Sequence, residues 1–60
     1  MPISGKEMVK LFLKAGYEID SQVGSHIKLK KNGCKIAIIP NHKELAKGTE
    51  HYLRKLLKLA

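Results

Sequence analysis

Gly24-Ser25-His26 opens a short basic stretch and places one imidazole among lysines, Lys28, Lys30 and Lys31. An imidazole has a reference pKa of about 6.5 and carries protons near neutral pH. Ammonium groups beside it can hold phosphate oxygens. RNA brings its own nucleophile, the 2′-hydroxyl. A neutral imidazole can take that proton, and lysines can stabilise charge building on the phosphoryl oxygens. His26 is therefore the candidate general base. Gly24 permits a tight turn and close backbone approach. The Ser25 hydroxyl can orient a phosphate or fix the imidazole tautomer. The plain alternative is an exposed strand histidine with no task, and the lysines on the same face count against it.

Other chemistries fit poorly. Two-metal sites need clustered carboxylates, and the five Asp and Glu are scattered. One cysteine and His26, His42 and His51 at irregular spacing match no zinc pattern, so no metal or other cofactor is expected. Nothing suggests a buried Asp-His-Ser arrangement. Tyr17, Tyr52 and Phe12 are too few for a base-stacking platform. His42 is a candidate proton donor or an ordinary polar loop residue. His51 reads as surface. Cys34 reads as a small apolar residue at the start of a strand, with no resolving partner nearby.

The elements that must position these groups are legible in order. Ser4-Gly5-Lys6-Glu7 is a capping box. It opens a helix that runs to about Ala15. Met8, Leu11, Phe12 and Ala15 make its apolar stripe, and Gly16 suits the left-handed residue that ends it. Tyr17 to Gln22 alternates as a half-buried strand, with Tyr17, Ile19 and Ser21 on one face. Val23-Gly24 is a turn. Ser25 to Lys31 alternates again, with Ile27 and Leu29 inward and His26, Lys28 and Lys30 outward.

Asn32-Gly33 is a hairpin signal. A two-residue loop there sets Leu29 opposite Ile36 and Ile27 opposite Ile38, with Cys34 to Ile39 as the return strand closed by Pro40. The outer face then pairs Lys30 with Lys35. Two opposed ammonium groups repel, and an anionic ligand would relieve the repulsion. A charge device that guards the sheet against aggregation is the competing explanation. Asn41 to Lys47 is a polar loop, and Thr49 can cap a second helix. Leu53, Leu56, Leu57 and Ala60 form that helix's apolar stripe.

The expected fold class is α+β, in the order α-β-β-β-α. Two helices cover one face of a three-stranded antiparallel sheet, and the other face stays open. Sixty residues make one domain, 1–60, with a thin core that buries only about 60% of the unfolded surface. Met1-Pro2-Ile3 leads straight into a helix pattern with no leader signature. No apolar run nears the ~20 residues of a membrane span, so no membrane partner is expected. The lone cysteine fits a reducing, cytoplasmic setting. Twelve Lys and Arg against five Asp and Glu give a net charge of +7, which favours an anionic partner.

The ordered set Ser4-Gly5-Lys6-Glu7, Ala15-Gly16-Tyr17, Gly24-Ser25-His26, Ile39-Pro40 with His42, and Glu44-Leu45 with Lys47-Gly48-Thr49 resembles the HicA-type toxins of bacterial toxin–antitoxin pairs. These are small messenger-RNA endonucleases with a double-stranded-RNA-binding-like fold. The resemblance spans nearly the whole chain. It implies that His26 is catalytic, that Gly24 and Ser25 shape its site, that no metal is needed, and that a HicB-type antitoxin masks the active face. Two positions depart from the pattern. Ile27 stands where a second polar residue often follows the catalytic one, and the end Leu56-Leu57-Lys58-Leu59-Ala60 differs from the usual C-terminal segment.

The expected function is metal-independent cleavage of mRNA. His26 would act as base, and Lys28, Lys30, Lys35, His42, Lys43 and Lys47 would hold the RNA. Two rivals remain: a non-catalytic RNA-binding module, and an interaction domain whose basic face docks an acidic protein.

Overall fold

The computed structural model describes residues 2–59. The first helix, α1, spans Gly5–Lys14. Its capping box is complete: the Glu7 amide donates to Ser4 Oγ at 3.1 Å, and the Ser4 amide donates to Glu7 Oε1 at 3.2 Å. At the other end Gly16 takes φ 97°. The Tyr17 amide donates to the Phe12 carbonyl at 3.0 Å, and the Gly16 amide to that of Leu13 at 3.1 Å. This is a Schellman motif. Its usual apolar contact is an edge-to-face pair of Phe12 and Tyr17 rings, 4.8 Å between centroids. Lys31 Nζ closes the end by donating to the Ala15 carbonyl at 2.6 Å.

Three antiparallel strands follow: β1 (Glu18–Val23), β2 (His26–Lys30) and β3 (Ala37–Pro40), in that spatial order. The second helix, α2, spans Lys47–Leu59. The α-β-β-β-α order is as expected. Met8, Val9 and Phe12 of α1 and Leu53 and Leu56 of α2 share one buried cluster with Ile27, Leu29, Ala37, Ile39, Tyr17 and Leu45. Both helices therefore lie on the same side of the sheet.

The register of the second hairpin differs from expectation by one residue. Ile27 pairs with Ile39, Lys28 with Ile38, Leu29 with Ala37 and His26 with Pro40. A one-residue shift turns every side chain of β3 over. Ala37 and Ile39 are fully buried, while Ile36 and Ile38 are about half exposed. The cause lies in the turn. Among the described residues no non-glycine has positive φ, so Asn32 does not adopt the left-handed geometry of a type I′ turn. Only Gly33 does, at φ 79°. The Cys34 amide closes the turn on the Lys31 carbonyl at 3.0 Å. Cys34 then packs half-buried against the core rather than starting a strand. The Tyr17 hydroxyl donates to the Lys35 carbonyl at 3.3 Å, and pairing begins only at Ala37. β3 touches both helices, and its Ala37 is fully buried in the core they share.

Two further expectations are corrected. Every residue of β1 is exposed, Ile19 and Val23 included; only Tyr17, just before the strand, reaches the core. β1 is an edge strand, and a bulge between Ile19 and Ser21 interrupts its alternation. The second helix starts at Lys47, ahead of Thr49, with the Glu50 amide donating to the Ala46 carbonyl at 2.9 Å. Leu57 is half-buried, and Ala60 lies outside the described residues.

Candidate functional site

His26 is the first residue of β2 and is exposed. Ile27 and Leu29 point into the core, so His26, Lys28 and Lys30 project from the uncovered face. Cross-strand pairs share a face. His26 thus stands between Val23 and Pro40, Lys28 between Ser21 and Ile38, and Lys30 beside Glu18. The Cα atoms of His26 and Lys28 are roughly 7 Å apart at strand spacing.

The turn before His26 depends on Gly24, at φ 59°. Nothing lies within 4 Å of where a Cβ would stand, so the need for glycine is conformational rather than steric. The Gln22 side-chain amide donates to the Gly24 carbonyl at 3.1 Å. The Ser25 carbonyl accepts from the Asn41 amide at 2.6 Å. His26 is therefore fixed on both sides, by the sheet and by the loop that leaves β3.

That loop is tied down at two more points. The Gly5 amide donates to the His42 carbonyl and the Leu45 amide to the Ile3 carbonyl, both at 2.9 Å. Gly5 sits so close that a Cβ would run into the Pro40 carbonyl oxygen, with Asn41 Cα at 3.0 Å and His42 N at 3.1 Å. The start of α1, the loop and the start of β2 thus form one junction. A cavity of about 360 Å³ opens there, lined by Ser4, Lys6, Asn41, His42 and Lys43. From sequence Gly5 and Lys6 read only as parts of the capping box and of the family resemblance, not as neighbours of Asn41 and His42. Glycine at the first turn of a helix, where better helix formers are available, was the available signal for a close approach.

The remaining candidates are dispersed. Lys30 pairs with Asp20 at 3.2 Å across the open face. Both side chains are substantially exposed, so the pair contributes at most about 1 kcal/mol. Lys35 lies in the connection before β3, outside the sheet, and does not oppose Lys30. Lys47 begins α2 and is exposed. A larger concavity, about 520 Å³, lies at the turn end of the sheet, between Gly16, Lys30, Lys31 and Ile36. It is remote along β2 from His26, and its Lys31 ammonium is engaged with Ala15 and stands 6.0 Å from the Tyr17 ring centroid.

Two titrations are displaced by the fold. The Ser4 amide and then its hydroxyl hold the Glu7 carboxyl below its ordinary value. Burial raises the Tyr17 phenol, and neighbouring Cys34 adds to the shift. Among the described residues no three His, Cys, Asp or Glu side chains converge as metal ligands, and no helix is long and apolar enough to cross a membrane.

Comparison with known proteins places this geometry in context. A family model described as HicA toxin of bacterial toxin-antitoxin matches residues 5–60. A solved toxin–antitoxin complex from Streptococcus pneumoniae contains a chain 41% identical to this one, with a TM-score of 0.80. The match covers 95% of this chain and 98% of that one. No curated relative matches.

Proposed function

The chain belongs to the HicA toxin family of bacterial toxin–antitoxin systems, and from that premise we propose that it is an endoribonuclease that cleaves messenger RNA and is restrained by a HicB-type antitoxin. The observation that carries the reading is His26: an exposed imidazole on the uncovered sheet face, at a strand end whose backbone is tied to the next loop by the Ser25–Asn41 hydrogen bond, close in the chain fold to a cavity lined by Lys6 and Lys43.

In this reading a ring nitrogen of His26 removes the proton from a ribose 2′-hydroxyl. The 2′-oxygen attacks the adjacent phosphorus, and the P–O5′ bond breaks. The products are a 2′,3′-cyclic phosphate and a free 5′-hydroxyl. His42, across the same junction, is the candidate donor of the proton that O5′ takes. Gly24 and Ser25 set the ring's position. Lys28 is the nearest cation along the open face and meets the charge on the phosphoryl oxygens. Lys30 shares its charge with Asp20, so it and Lys35, Lys43 and Lys47 act on flanking backbone. The chemistry draws nucleophile from the RNA and base from the chain, and it proceeds in EDTA.

The complex solved for the Streptococcus pneumoniae relative supports an antitoxin partner. Incubation of the purified chain with single-stranded RNA in EDTA tests the activity. Shortened products ending in cyclic phosphate are expected. RNA that is bound in a salt-dependent way but keeps its length would instead mark a non-catalytic binder.

A further inference from the structure

We propose that the cavity bounded by Ser4, Lys6, Asn41, His42 and Lys43 is a phosphate subsite that holds the phosphodiester next to the one cleaved at His26. The inference rests on the ribonuclease reading and adds Ser4 and Lys6, at the start of α1, to the RNA-contacting surface.

Residues that bear two ammonium groups, an imidazole, an amide and a hydroxyl line a cavity of about 360 Å³, a size typical of small-ligand pockets. Lys6 and Lys43 are exposed, and among the described residues neither is ion-paired. Two free cations on one concavity add nothing to stability and repel each other. An anion between them relieves that repulsion. The nearest carboxylate on α1, Glu7, is turned into the capping box and accepts from the Ser4 amide. The Gly5 and Glu7 amides at the helix start are also engaged, by the His42 carbonyl and by Ser4 Oγ. Side chains, not the helix end, therefore carry the site.

Position ties the cavity to the chemistry. Pro40 pairs with His26, and Asn41 follows it with its amide on the Ser25 carbonyl. The cavity thus starts one residue beyond the strand position opposite the proposed base. Three backbone hydrogen bonds and the tight Gly5 contact hold the loop, so the backbone that carries His42 and Lys43 is set before RNA arrives. In this proposal the RNA runs from His26 past Pro40, round the edge strand β3, and sets its neighbouring phosphate in the cavity.

The test uses the purified full chain and the variants Lys6→Gln, Lys43→Gln and the double variant, each checked for fold by its amide NMR spectrum. Cleavage of a short single-stranded RNA is measured against RNA and salt concentration. In the double variant kcat/KM is expected to fall about tenfold, carried by KM. The log–log salt slope should flatten by about 0.7, the value of one lost phosphate contact on a single strand. A neutral methylphosphonate at the flanking position should cost the wild type a similar factor and the double variant almost nothing. Arg at both positions should restore KM. An unchanged KM and salt slope in the double variant overturns the subsite. So does a double variant that cleaves normally but loses its antitoxin, since the cavity would then take an acidic protein side chain. Inorganic phosphate supplies a readout that does not need cleavage. It should shift the Asn41, His42 and Lys43 amides saturably in the wild type and not in the double variant. Wild-type chain that cleaves nothing refutes the ribonuclease reading, and the phosphate titration then decides the cavity alone.

Discussion

The Asn41 amide donates to the Ser25 carbonyl at 2.6 Å, one residue ahead of His26. This hydrogen bond joins the loop leaving β3 to the turn that delivers the imidazole. The same loop is bonded to the start of α1 through Gly5 and His42. Three segments distant in sequence thus share one small junction. Cationic side chains from two of them surround the cavity beside it.

Gly5→Ala tests the junction. In most helical positions this change stabilises by about 0.5–1 kcal/mol. Here the new methyl meets the Pro40 carbonyl and the backbone of Asn41 and His42. Overpacking of this kind costs typically 1–3 kcal/mol. Urea unfolding should therefore show Gly5→Ala less stable than wild type, with slower cleavage by the fraction that remains folded. A stabilised variant would mean that α1 does not press on the loop.

Substitutions in β3 test its register. Ile39 is fully buried and Ile38 about half exposed. Ile39→Ala should cost about 2–5 kcal/mol, enough to unfold much of a domain this small. Ile38→Thr should stay within about 1 kcal/mol. Thermal melts of the two variants check the order, and a reversed order would restore the pairing read from the turn.

How much of this was legible in the sequence follows from the range of the forces involved. The capping box at Ser4 and Glu7 and the left-handed Gly16 were readable, because each is settled within a few residues. So was the placement of His26 on the face opposite Ile27 and Leu29. The register of β3 was not. Asn32-Gly33 supports more than one turn, and the choice falls to distant partners: Tyr17 holding Lys35, and the helices closing over Ala37. The alternation of Tyr17 to Gln22 also misled, since it does not register a bulge or an edge position. The role of Gly5 depends on Pro40 to His42, far along the chain.

Two pH limbs follow from the displaced groups. The folded Glu7 pKa lies below the unfolded one, so its contribution is present above the usual carboxylate range and is lost as pH falls below about 4.5. The folded Tyr17 pKa lies above the unfolded one, so its contribution is present below pH 10.0 and is lost as pH rises through the folded value. Thermal midpoints measured across pH should show a smaller acid-side loss in Glu7→Gln and a smaller alkaline loss in Tyr17→Phe. Parallel curves for variant and wild type would contradict both assignments.

Gly24→Ala separates backbone strain from crowding. The site has open space but φ 59°. The substitution should cost about 1 kcal/mol and slow cleavage beyond what lost stability explains, because the strained turn sits two residues from His26. Equal urea midpoints for wild type and variant would show that the turn relaxes freely.

The role of His26 is reached most directly by single-turnover cleavage with saturating enzyme, comparing wild type with His26→Ala and His26→Gln of verified fold. Loss of a general base should slow the chemical step by about 10²–10⁴-fold, while RNA affinity stays within a few-fold of wild type. A folded His26→Ala that cleaves at the wild-type rate would show that another group takes the 2′-proton.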